Sequence, residues 1–224
     1  MVALFVLATF AIFIGIDVLL HREKYAFKVA AEGLTPQRRP ALAPVVAGVA
    51  LPETLAYHPG HTWALDQGNG RIRVGLDGLA AAFLGQIQAV EGPKRGRWLR
   101  QGDRGWTIRN KRGEVMMLAP AEGEVVAVNE KALANPAVIS QDPYGAGWIA
   151  EMTSPDAPIS FRNLMSGGIA RSWMEESMAM LRQAFAPMNL ATVTAQDGGL
   201  ISPRLGDEIP EEKWKDLASQ LFRT

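Results

Sequence analysis

The sequence predicts a mainly β chain with flanking helices, one N-terminal transmembrane helix and a C-terminal α/β extension. Three observations predict it. Residues 2–20 form an almost unbroken apolar run, short alternating stretches cut by Gly, Pro, Asn and Asp follow from about residue 55, and beyond residue 166 the apolar spacing becomes three to five. With 224 residues and 48% hydrophobic content the chain has room for one ordinary domain plus additions, and it is not a disordered protein. Its 23 basic and 23 acidic residues are interleaved, which removes the main argument for nucleic acid, since counterion release needs a basic patch. The absence of Cys excludes a disulfide framework, thiol catalysis and iron–sulfur ligation by this chain alone.

The apolar run VALFVLATFAIFIGIDVLL contains one charge, Asp17. As a helix it is about 29 Å long, enough to cross a hydrocarbon core of roughly 30 Å. A signal peptide needs a basic region before such a run and a small-x-small site after it, and neither is present. His21, Arg22, Lys24 and Lys28 follow at once, so the positive-inside bias places the body of the chain in the cytoplasm. Residues 1–21 are therefore expected to be a single-pass anchor in a bacterial inner membrane, with the N-terminus outside. Asp17, about one turn from the basic end, either snorkels to the interface or contacts another membrane helix through the small-residue face of Ala8, Ala11 and Gly15. Residues 22–52, rich in Ala, Pro and Arg, read as a linker or a strap over a partner.

The main domain is expected over residues 53–185. It opens with Tyr57-His58-Pro59-Gly60-His61-Thr62-Trp63, where two imidazoles without a third ligand do not define a metal centre. Ile72 and Val74 alternate as a strand, preceded by the turn Gln67-Gly68-Asn69-Gly70, and a short helical turn follows over residues 76–83. Lys94-Arg95-Gly96-Arg97 reads as a solvated basic loop. Residues 105–129, GWTIRNKRGEVMMLAPAEGEVVAVN, form a strand, a tight turn and a second strand. Asp142-Pro143 then fixes a turn, and Gly145 and Gly147 lead into a strand at Trp148 and Ile149. Ser166 is the expected N-cap of a helix to Phe185, with Ile169, Trp173, Met174, Met178, Leu181 and Phe185 on its apolar face and Arg171, Glu175, Glu176 and Arg182 opposite. Its methionines suit either an adaptable core or a binding surface. Residues 186–224 read as a strand, a turn and a helix over 210–222, whose Trp214, Leu217, Leu221 and Phe222 must cover this chain's own domain or a partner.

Three of these stretches, in order, resemble the glycine cleavage H-protein family. Residues 71–87, RIRVGLDGLAAAFLGQI, are similar to its V-G-I-T-x-x-A-x-x-x-L-G-x-I; residues 119–129, APAEGEVVAVN, to its S-P-V-S-G-E-V-V-E-V-N; and residues 129–149, NEKALANPAVISQDPYGAGWI, to its N-x-x-L-x-x-x-P-x-L-I-N-x-D-P-Y-G-x-G-W-L. His61 and Trp63 stand as the family's His-x-Trp pair, with Thr62 for its usual Glu. The resemblance implies a lipoyl/biotinyl-type β-sandwich, a barrel-sandwich hybrid. It also implies a lysine at the hairpin tip amidated by lipoate, whose dithiolane arm carries an aminomethyl group between enzymes. Counted back without a gap from residue 119, that lysine falls on Arg112 and the motif glutamate on Arg109, and Lys111 is one residue out. The family pattern is thus degenerate at the lipoyl position.

Arginine does not replace the lysine, because its guanidinium stays protonated and is a poor nucleophile. No cofactor is therefore expected; the alternative is lipoate on Lys111 after a one-residue register change. No nucleophile–base pair, phosphate loop or dinucleotide fingerprint appears, so no independent enzymatic activity is expected. The expected function is a non-catalytic subunit that anchors, scaffolds or stabilises a larger membrane redox complex. The alternatives are a membrane-tethered carrier modified at Lys111, or a free-standing tether for a soluble partner. The expected partners are other subunits of such a complex and the bilayer, with no nucleic acid, and the candidate partner contacts are Asp17, Arg109, Lys111, Arg112, Trp214 and Leu217.

Overall fold

The structure, a computed structural model, describes residues 43–185 and 201–223. The apolar run with Asp17, the Pro-rich stretch as far as residue 42, and the strand and turn expected at residues 190–199 lie outside the described residues.

The described chain opens with a hairpin, β1 (Val45–Val46) and β2 (Val49–Ala50), which places Val46, Val49 and Leu51 in the core. The end of the expected linker is thus part of the folded domain. Next come β3 (Ala56–His58), β4 (Thr62–Gly68) and β5 (Arg71–Leu76), an antiparallel meander. Asn69 and Gly70, at φ 53° and 74°, turn β4 into β5, as expected of that pair in a tight hairpin. Asp77 caps α1 (Gly78–Leu84), its Oδ1 accepting from the Ala80 N–H at 2.8 Å.

Then follow β6 (Ile87–Glu91), β7 (Trp98–Leu99), β8 (Arg104–Asn110), β9 (Gly113–Leu118) and β10 (Gly123–Val128). Two short helices, α2 (Glu130–Ala134) and α3 (Ala137–Gln141), lead to β11 (Ala150–Thr153). After α4 (Ala157–Arg162), α5 (Gly167–Phe185), α6 (Leu205–Glu208) and α7 (Glu211–Phe222) complete the described elements.

Two sheets carry the fold: a six-stranded one in the order β3-β4-β5-β11-β10-β7 and a three-stranded one in the order β6-β8-β9. The chain changes sheet between β9 and β10, where Pro120 has no N–H to extend the β9 ladder. One face of each sheet enters a common core containing Trp63, Ile72, Val74, Ile108, Met117 and Val125. This is a mainly β sandwich with flanking helices, and β8 and β9 of its smaller sheet form one hairpin.

The last family-like stretch is tied to the first, and to β2 and β4, through specific bonds. Trp63 Nε1 donates to the Pro143 carbonyl at 3.1 Å, and the Tyr144 hydroxyl donates to the Ala50 carbonyl at 2.6 Å while accepting from the Gly78 N–H at 2.7 Å. Burial, followed by the nearby Asp77 carboxylate, pushes the Tyr144 phenol well above its ordinary pKa, so it stays a neutral donor. Asn129 holds the last stretch closed by donating to the carbonyls of Ala146 and Trp148.

In α5, Ala170, Met174, Met178, Leu181 and Phe185 are buried, whereas Ile169 is 70% exposed. The helix starts at Gly167, and its inward face is taken at that end by Ala170. The methionine face is core.

The localisation expected from the sequence, single-pass in the inner membrane with a cytoplasmic domain, is corrected. Among the described residues no helix is long and apolar enough to cross a membrane. The longest, α5, has 19 residues but carries Arg171, Glu175, Glu176 and Arg182, and each charge at bilayer depth costs several kcal/mol.

Candidate functional site

The hairpin of β8 and β9 pairs Ile108 with Val115, Arg109 with Glu114 and Asn110 with Gly113, which leaves Lys111 and Arg112 as a two-residue tip. Asn110 makes the tip rigid. Its Oδ1 accepts from the backbone N–H of Arg112 at 2.9 Å and of Gly113 at 3.1 Å, and its Nδ2 donates to the Leu84 carbonyl at 2.8 Å. The chain leaves the turn at Gly113, φ +155°, a conformation that L side chains rarely adopt.

The tip is covered by the chain's own C-terminal segment. An Arg112 Nη donates to the Asp207 carbonyl at 2.5 Å, and Lys111 Nζ lies 3.4 Å from Asp207 Oδ1. Arg112 Nε is buried and has no hydrogen-bond partner among the described residues. Arg109, the third cation, is bonded to Glu114 at 2.8 Å, and that carboxylate raises its pKa. Every basic group that the sequence places at the tip therefore has an internal partner.

The cap is anchored by packing. Gly206 lies against the last turn of α1 so closely that a Cβ there would stand 1.6 Å from the Phe83 carbonyl oxygen. Trp214 is 1% exposed and stacks on Phe83 with ring centroids 5.5 Å apart, while Phe222 meets the same ring edge-on at 5.7 Å. Leu217 and Leu221 are buried with them. Trp214 and Leu217, candidate partner contacts in the sequence, thus cover the chain's own domain.

Sequence reading misses Asp207 because it lies 95 residues from Arg112 in a four-residue helix without periodicity. It also misses a pair beneath the cap. His61 Nδ1 and Asp77 Oδ2 lie 2.7 Å apart, both buried, with the imidazole stacked 4.5 Å from Trp173. His61 takes φ +59°, and the only trace of the pair in the sequence is the His-x-Trp motif. Among the described residues no group of three or more His, Cys, Asp or Glu could hold a metal ion.

His58 accepts from the Gly60 N–H at 3.0 Å. Burial first, then Arg223 of the C-terminal segment and His61, lower its pKa from 6.5 to about 4. A base depressed in the folded state binds its proton more readily unfolded. Its contribution to stability is therefore full above 6.5 and is lost as the pH falls toward 4. In His58→Asn, whose amide oxygen still accepts from Gly60, the melting temperature is expected to change less across that window than in the parent. Parallel curves from thermal unfolding at a series of pH values would exclude His58 as the titrating group.

Comparison with known proteins places residues 55–177 in a match to the family model described as glycine cleavage H-protein. The chain is 33% identical over 102 residues to the glycine cleavage system H protein of Chromohalobacter salexigens, a match covering 46% of this chain and 78% of that protein. It is 37% identical over 123 residues to the probable glycine cleavage system H protein of Aeropyrum pernix, covering 54% and 85%. For the H protein of Symbiobacterium thermophilum the identity is 33% over 126 residues, covering 56% and 97%. A crystal structure of the H protein from Mycobacterium marinum is 28% identical with a TM-score of 0.49, covering 56% of this chain and 98% of that one. The names of these relatives stand with the helix composition against the membrane localisation expected from the sequence.

Proposed function

From the premise that this chain belongs to the glycine cleavage H-protein family, we propose that it is a non-lipoylated, non-catalytic member acting as a docking or scaffolding subunit of a larger protein assembly. The family carries lipoate on a lysine, and the register of the shared motif puts Arg112 at that position. One observation carries the reading: Arg112 is turned into the chain's own C-terminal cap, bonded to Asp207, with its Nε buried. These residues do not fit the cofactor. A guanidinium does not take up an acyl group, and the site that would present the arm is filled by α6. The proposed partners are other proteins, with no role for nucleic acid, because the balance of charge is neutral.

A second reading, a carrier modified at Lys111, is favoured by one feature. The Lys111 side chain is 54% exposed and shares the two-residue tip with Arg112, so it needs no change of strand register to reach solvent. Intact-mass measurement of the protein from its native host, with peptide mapping across residues 109–113, separates the two. In a host that lipoylates its other carrier proteins, an unmodified mass is expected. A lipoyl adduct on Lys111 would replace the first reading with the second.

A further inference from the structure

A cluster of cations without carboxylate partners lies at the opposite end of the hairpin from its tip. Lys94, Arg95, Arg97, Arg100 and Arg104 are all exposed, and among the described residues none of them pairs with a carboxylate side chain. Arg104 begins β8 and Asn110 ends it, so at about 3.4 Å per residue the basic cluster is about 20 Å from the tip. An Nη of Arg97 approaches the Arg104 carbonyl at 3.5 Å, which brings the two ends of the intervening loop together.

Trp98 stands among these cations, 47% exposed, on the two-residue strand β7 at the edge of the larger sheet. A half-exposed indole flanked in the chain by arginines without carboxylate partners has the composition of a protein-binding hot spot, where Trp and Arg are enriched. The carboxylates around it indicate the kind of partner. Glu122 accepts from Trp98 Nε1 at 3.3 Å, exposed Glu124 is the cross-strand neighbour of Trp98, and Asp103 accepts from the Arg100 N–H. A continuous polyanion such as a nucleic acid or an anionic bilayer would be repelled by these three groups, whereas a protein surface can place its own carboxylates between them.

We propose that Lys94, Arg95, Arg97, Trp98, Arg100 and Arg104 form a docking surface for an acidic face of a partner protein. This rests on the reading of the chain as a docking subunit and names the surface it uses. It is independent of what the tip carries.

The test uses the purified full chain and a fluorescein-labelled peptide of alternating Glu and Leu residues as probe, followed by fluorescence anisotropy. A single-stranded oligonucleotide and phosphatidylserine vesicles are run in parallel. Expected are saturable peptide binding, weakened at least tenfold by combined Arg95→Gln, Arg97→Gln and Arg100→Gln and several-fold by Trp98→Ala, and no change with Lys213→Glu on α7. All substituted side chains are exposed, and an unaltered melting temperature checks that each variant folds. Equal binding by the triple variant, insensitivity to Trp98→Ala, or tighter binding of the oligonucleotide or the vesicles would overturn the proposal. Lipoate found on Lys111 would leave this result standing and remove only the non-lipoylated reading.

Discussion

Gly206→Ala will detach the C-terminal cap from the hairpin tip. The added methyl carbon would lie 1.6 Å from the Phe83 carbonyl oxygen, less than half a normal contact distance, and the atom it meets is backbone at the end of α1. Neither side can give by rotating a side chain, so α6 must move away from α1. Overpacking of this kind costs about 3 kcal/mol or more. Asp207 is the next residue, and its displacement breaks the contacts to both Lys111 and Arg112. Hydrogen exchange is expected to rise at residues 110–113 and 205–208 together, and the Lys111 amine to react faster with an acetylating reagent. Unchanged exchange at the tip in a folded Gly206→Ala protein would show that the cap does not hold it.

Trp214→Ala removes the largest buried side chain of the cap. Trp214 is 1% exposed, stacks on Phe83 and stands 3.5 Å from the Cβ position of Gly113, so its loss opens a cavity between the hairpin and α7. The expected cost is about 3–5 kcal/mol. For a chain of this size that lowers the melting temperature by roughly 6–20 °C. Trp98→Ala is the control, since a half-exposed indole leaves no internal cavity and its loss should cost less than about 1 kcal/mol. Gly206→Ala and Trp214→Ala act on the same cap, so the double variant should lose less than the sum of the two. Full additivity in calorimetry would mean that α6 and α7 hold the domain independently.

The parts of the fold legible in the sequence are those whose signals are local. Asn69-Gly70 marks the β4–β5 turn, Ile72 and Val74 alternate into the core, and Pro210 precedes a helix with Glu211 and Glu212 in its first turn. The spacing of Met174, Met178, Leu181 and Phe185 marks the buried face of α5, because helical period depends only on residues a turn or two apart. Ile169 falls outside that face, whose inward position in the first turn is taken by its neighbour Ala170.

The tip shows the boundary between the two kinds of information. Taken as strand neighbours, Lys111 and Arg112 should point to opposite faces, and the exchange of one for the other should demand a shift in register. In the two-residue turn both instead reach Asp207.

By itself the sequence determined the likeness to the family, most strands and the long helices, and the neutral balance of charge, because each is carried by residues close together in the chain or by composition. Only the tertiary structure decided that Trp214 and Leu217 cover their own domain, that Lys111 and Arg112 both reach Asp207, and that a cluster of cations at the other end of the hairpin has no carboxylate partner among the described residues. The physical reason is that a charge or an apolar face is free or satisfied according to what folding brings against it. Here that partner comes from 95 residues away.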